Sequence, residues 1–206
     1  MLVAFVVAVA LVCAVPGPDI AYVVAHSVAD GRRTGVVASL GMSVGMLAHT
    51  SAAALGLSAA VAAHAGVLEA IRWIGAAFLV WLAVSAFRSG RSFEPGRQVA
   101  PHGTTRVFAM AAATNLANPK IIVFFLAFLP QFVTTDGWPL TAQLLVLGTA
   151  FTLVGLLNDL VYAVLAAALR GRVLENAAAG RWMHRLAGTV YAALAIRLVV
   201  SSPARA

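Results

Sequence analysis

The chain has 206 residues, 62% of them hydrophobic and 10% charged, with a net charge of +7. Soluble domains carry about 45–50% apolar and about 25% charged residues, so this composition excludes a water-soluble globule. The positive charge does not point to nucleic acid, because the arginines fall in short clusters between apolar runs and not along one polar face.

A membrane-crossing helix needs about 20 mostly apolar residues. Six segments qualify. The first covers residues 2–29 and is interrupted at "PGPD". It lacks a basic leader and a clear small-residue cleavage site, so it reads as a span and not as a signal peptide. Cys13, the only cysteine, lies in its apolar run and builds no disulfide framework. The second span, 34–63, holds His49, read as a satisfied polar contact before a proton relay. Its Gly41 and Gly45 form GxxxG, ringed by Ser39, Ser43 and Ala48, which predicts close packing inside the bundle before a dimer seam. The third span covers 67–87, and "RSGRSFEPGRQVAPHG" after it reads as a solvated linker at about 89–104. The fourth, 105–133, is interrupted at "NPK". Its Phe124, Phe125 and Phe128 are lipid-facing or packing residues, unless one shapes a pocket. The fifth, 139–169, carries Asp159 in "VGLLNDLVYAV", with Asn158 before it and Tyr162 about one turn on from Asn158. The sixth, 186–200, is short and begins nearer Trp182. Trp73, Trp81, Trp138 and Trp182 lie toward segment ends, as interface anchors do.

Loop arginines set the orientation. Arg32 and Arg33, then Arg88, Arg91, Arg97 and Arg106, then Arg170, Arg172, Arg181 and Arg185 fall in the first, third and fifth connections: ten basic residues on one side. Arg72 and Arg205 fall on the other, balanced by Glu69 and Asp136. The odd-numbered connections are therefore cytoplasmic and both termini face outward. A five-span arrangement with one re-entrant segment would move a terminus and is the minority view. Three spans on each side of the linker is an odd number, so two related halves would be inverted in the membrane. The expected fold is an all-α integral membrane protein of one transmembrane domain, 1–206. Its six helices form two inverted repeats, about 1–88 and about 105–206, with helices one and four broken at proline.

The two interruptions match. Pro16, Gly17, Pro18 and Asp19 in the first span correspond to Asn118, Pro119 and Lys120 in the fourth. Gly or Asn suits the N-cap, and Pro suits the first helical position, where its missing N–H would be unpaired anyway. An ionisable residue follows each time. Each half-span would be roughly 15–20 Å long, so both breaks fall near mid-membrane. Broken helices expose backbone groups that lipid cannot satisfy, so protein or a water-filled cavity must meet them. Two half-helix N-termini converging there would attract a carboxylate. The helix dipole favours Asp19 but opposes Lys120, the only lysine in the chain. Lys120 therefore needs an anion: Asp19, Asp159 or a substrate carboxylate. Buried charges of this kind cost about 2.5–3.5 kcal/mol each, which predicts pairing or function. Asn115 would cap or line the site, and Tyr22, three residues after Asp19, shares its face and could bond within it.

Enzymatic signatures such as a Walker A loop, a nucleophile elbow or HExxH do not occur, and nothing calls for a cofactor or a metal. The segments "PGPDIAYVVAHSVADGRRTGVVASLGMSVGMLAH" and "ATNLANPKIIVFFLAFLPQF" resemble those of the LysE/RhtB family of amino-acid exporters, across nearly the whole chain. Pro16, Gly17, Pro18 and Asp19 match its first motif, Asn115, Asn118, Pro119 and Lys120 its second, and Asp159 its fifth-helix acid. The resemblance implies export of amino acids or related zwitterions from the bacterial cytoplasm across the inner membrane, by proton antiport. Lysine or arginine, homoserine or threonine, leucine and cysteine are all open as cargo.

The mechanism expected from these residues seats the substrate carboxylate near Lys120 and the N–H groups of the breaks. The substrate ammonium meets Asp19 or Asp159, and the other acid carries the proton. Rocking of one three-helix half against the other would alternate access. The partners are thus an amino acid, protons and the lipid bilayer, with a homo-oligomer left open. The rivals are a metal or other ion exporter, a non-transporting membrane scaffold, a channel, and an intramembrane enzyme. Asp19, Asp159 and Asn118 offer oxygen ligands, but Lys120 among them disfavours a metal.

Overall fold

The computed structural model describes residues 2–63, 66–88, 103–134, 137–169 and 177–200. Most of the predicted linker lies outside them, as do Arg91, Arg97, Asp136, Arg170, Arg172 and Arg205; the side chains of Arg181 and Trp182 are not described either. The described residues are helical, in eight α-helices: α1 (Leu2–Ala14), α2 (Pro18–Asp30), α3 (Arg32–Ala63), α4 (Val67–Arg88), α5 (Thr104–Leu116), α6 (Pro119–Val123), α7 (Leu140–Ala168) and α8 (Ala177–Val200). Large apolar side chains face outward, among them Ile74 at 70%, Leu157 at 65% and Ile196 at 64% exposed. An apolar exterior of this extent belongs in lipid. The protein is an all-helical membrane protein.

Three helices, α3, α4 and α7, are long and apolar enough to cross a bilayer. Two bent pairs are each a broken span or a re-entrant loop and bring the total to five if each is one span: α1 with α2, bent by 57°, and α5 with the segment from Pro119 to Phe132, bent by 48°. The bends fall where proline removes an N–H and clashes with the preceding turn. The last helix, α8, contributes a shorter apolar stretch, Ala187–Val200.

The lower half of the second bent span departs from a plain helix. Only five residues of α6 are α-helical; Phe124–Phe128 form a π-helical turn and Leu129–Phe132 a tight 3-10 turn. Pro130 accounts for this. It cannot donate to the carbonyl four residues back, so the chain widens before it and tightens around it. The π turn drives Phe124, Phe125 and Phe128 inward, each 3% exposed or less. Phe124 and Phe125 pack on Phe151 of α7, with centroids 4.8 and 4.9 Å from its ring, and Phe128 packs on Phe124 at 5.1 Å. These rings are packing residues and do not face lipid.

Helix contacts give the directions. On α3, Ser58 accepts a bond from Thr141 of α7 at 2.9 Å. A Cβ on Gly148 would overlap Thr50, one on Gly155 would meet Met46, and one on Gly35 would meet Ala163 at 3.0 Å. Position rises along α3 as it falls along α7, so the two run antiparallel. The same holds for α4 and α8, where Gly75 meets Leu198 and Gly188 meets Phe87. In contrast, α3 and α5 run parallel: Gly41 lies against Phe108 and Ala111, Gly45 against Ala112 and Asn115. The GxxxG pair therefore serves packing inside the bundle, where only a missing Cβ lets the backbones approach this closely.

One arginine lies outside the loop count that set the orientation. Arg197, on α8, stacks over Phe132 at 4.8 Å and Phe128 at 5.3 Å, a cation–π contact at the tight turn.

Candidate functional site

The two breaks meet. Gly17 is the N-cap of α2, Pro18 its first residue and Asp19 its second; Asn118 is the N-cap of α6, Pro119 its first residue and Lys120 its second. Pro18 and Pro119 stand at exposed positions, while Asp19 and Lys120, one residue on, turn inward to 3% exposure each. The Lys120 ammonium lies 2.9 Å from Asp19 Oδ2 and 3.3 Å from Oδ1. Residues 101 positions apart in sequence thus close one buried ion pair.

The backbone explains why Lys120 tolerates its own helix N-terminus. A helix end leaves carbonyls without partners and carries partial negative charge. Here that end is α1. Lys120 Nζ donates to the carbonyl of Val15 at 3.0 Å. On α7, Asn158 Nδ2 donates to the carbonyl of Cys13 at 2.9 Å and the Tyr162 hydroxyl to that of Ala14 at 3.2 Å. Three successive carbonyls at the end of α1 are satisfied by side chains from two other elements. Protein groups close this break, and the space beside Lys120 is about 10 Å³.

Asn118 caps its helix through Oδ1, which accepts from Lys120 N–H at 3.1 Å. Gly17 is needed for close approach. A Cβ there would lie 2.7 Å from Asp19 Oδ1 and 3.4 Å from Lys120 Nζ, displacing the pair. Pro16 sits between the two halves and ends α1.

Asp159 is 2% exposed and close enough to the pair to feel both charges, yet it forms no ion pair with Lys120. Its Oδ2 is buried without a hydrogen-bond partner. Asn115 is fully buried with neither side-chain polar atom bonded, and Asn118 Nδ2 is also unbonded. Unmet buried polar atoms are costly, and in a native fold they call for an explanation. The His49 ring lies 3.3 Å from the Asn115 carbonyl and stacks on Phe125, a polar contact of the kind expected.

Tyr22 does not bond within the site. Its hydroxyl donates to the carbonyl of Val107 on α5 at 3.2 Å, because its ring packs on His26 one turn on. Sequence reasoning missed the capping role of Asn158 and Tyr162. Counting the carbonyls orphaned by the break, and seeking donors one turn apart on a facing helix, would have found both. It also missed Tyr191 of α8, buried against the small space beside Lys120, for which the sequence carries no signal.

The capping bond can be tested directly. Asn158→Leu leaves the Cys13 carbonyl unpaired, so it should cost about 1–3 kcal/mol. A thermal melt of the purified protein in detergent reads this loss; an unchanged midpoint would show that the carbonyl needs no cap.

A family model described as LysE type translocator matches residues 10–202. An uncharacterized membrane protein of Vibrio cholerae is 32% identical over 85% of this chain and 85% of its own length. A homoserine/homoserine lactone efflux protein of Salmonella typhimurium is 30% identical over 73% of each chain. The threonine efflux protein of Escherichia coli is 29% identical over 90% of this chain and 91% of its own. No solved structure matches the chain.

Proposed function

The chain belongs to the LysE type translocator family, and on that premise we propose that it exports amino acids or close derivatives from the bacterial cytoplasm, in exchange for protons. Relatives named for homoserine, homoserine lactone and threonine efflux support this cargo class. The observation that carries the reading is the buried Asp19–Lys120 pair, which joins the two broken spans at one point. A zwitterion needs a cation and an anion fixed a few ångströms apart, next to backbone groups freed by helix breaks. Lys120 and the N-termini of α2 and α6 serve the carboxylate. The acids serve the ammonium and the proton, and the unbonded groups of Asn115 and Asn118 line the path.

In this reading α8 completes a sixth span. The halves are inverted repeats, about 1–88 and about 105–206, placed in the inner membrane with both termini outside. The antiparallel pairs α3–α7 and α4–α8 support it, since each joins helices at equivalent places in the two halves. Rocking of the halves opens the site to either side.

A growth panel tests the function. Cells overproducing the chain face inhibitory amino acids and analogues, beginning with homoserine and threonine. Resistance to a subset names the cargo. Equal sensitivity of producing and control cells across the panel would remove amino-acid export.

A further inference from the structure

We propose that Lys120 is a stand-in for the cargo's ammonium: in the empty protein it fills the ammonium subsite, and cargo binds by displacing it. This deepens the export reading and rests on it. A lysine ammonium has three N–H donors. Its neighbours here are three oxygens, Asp19 Oδ2 at 2.9 Å, Val15 O at 3.0 Å and Asp19 Oδ1 at 3.3 Å. An amino acid's ammonium carries the same three donors and fits the same cradle. One carboxylate and the carbonyl end of a half-helix together recognise a primary ammonium, both by charge and by donor count.

Space makes the displacement necessary. The cavity beside Lys120 is about 10 Å³, walled by apolar groups such as Val12, Leu79 and Phe124. That is at or below the space of a single water, which needs roughly 10–15 Å³. This cavity admits no ligand while the lysine holds Asp19. When it leaves, its four-carbon stem vacates room for the cargo's own atoms. The displaced ammonium has a destination, because Asp159 is close enough to feel its charge and its Oδ2 is buried with no hydrogen-bond partner. The cargo's carboxylate is a second destination. Lysine suits such a switch: it is a compact charge on a flexible stem, unlike a planar guanidinium. The cargo ammonium therefore goes to Asp19, which leaves Asp159 to carry the proton.

Lys120 is the only lysine in the chain, so isotope-labelled lysine yields a single side-chain ammonium resonance by NMR. The full-length protein in nanodiscs is titrated with ethylammonium, L-threonine, tetramethylammonium and lactate. Ethylammonium and L-threonine should shift the resonance saturably. Tetramethylammonium, with no N–H, and lactate, with no ammonium, should leave it in place. Asp19→Asn should abolish the ethylammonium response. A second measurement needs no NMR: ethylammonium should restore the thermal stability lost in Lys120→Ala, but not in the Asp19→Asn/Lys120→Ala double variant. A resonance unmoved by either primary ammonium, or moved equally by tetramethylammonium or lactate, overturns the proposal. A response to ethylammonium without one to L-threonine or any other amino acid keeps the ammonium subsite and removes amino-acid cargo.

Discussion

Lys120→Met is expected to cost the protein about 3–5 kcal/mol and to abolish export. The stability loss follows from what the substitution strands. Asp19 is left as a carboxylate at 3% exposure with no counter-charge, and the Val15 carbonyl loses its donor. Removing one partner of a buried pair costs about 3–5 kcal/mol, because an uncompensated charge remains in a poor solvent. Whole folds are stable by about 5–15 kcal/mol, so the thermal midpoint should fall sharply. Asp19→Asn/Lys120→Met removes both charges at once. It should regain much of the lost stability, since replacing a buried pair by neutral groups is often close to neutral. Thermal melts of wild type, both single variants and the double variant complete the cycle. A double variant no more stable than the worse single variant would show that the two side chains are not a coupled pair.

Asp159→Asn should do the reverse: spare stability and remove coupling. The carboxylate is buried at 2% exposure and its Oδ2 is unbonded. An amide of the same size takes away a buried charge without opening a cavity. Stability should then stay within about 1 kcal/mol of wild type or rise. Export driven by a proton gradient should drop about tenfold or more, a loss of ~1.4 kcal/mol in the transport step. In vesicles loaded with amino acid, acidifying the side that receives the cargo should speed wild-type efflux and leave the variant unaffected. A variant that keeps the gradient response would take Asp159 out of the proton path.

Much of this architecture is legible in the residues. Apolar runs and clustered arginines identify a helical membrane protein, and the two X-Pro-charge signals mark both bends. What Lys120 pairs with was not legible. Periodicity left Asp19, Asp159 and a ligand as equal candidates, because spacing along a chain says nothing of distance across a bundle. The structure brings Asp19 to Lys120 and leaves Asp159 Oδ2 without a partner. The π turn was missed although its cause, Pro130, stands in plain view in "FLPQF". Reading the apolar run as one helix hid the inward turn of Phe124, Phe125 and Phe128. Asn158 stood out in the sequence only as the neighbour of Asp159, while the structure also employs it to cap an open carbonyl. Tyr22 was placed in the site by its turn spacing, but its hydroxyl reaches α5. Such side-chain destinations depend on which helix lies opposite, a matter of tertiary packing.

The central claim is that the ion pair joining the two broken spans is the transport site and not merely glue between helices. Efflux of amino acid from loaded proteoliposomes containing the Asp19→Asn/Lys120→Met variant decides this, because that variant is expected to keep its fold. The predicted rate is that of protein-free vesicles. Efflux at the wild-type rate from the folded double variant would mean that the pair only holds the bundle together, and that cargo crosses elsewhere.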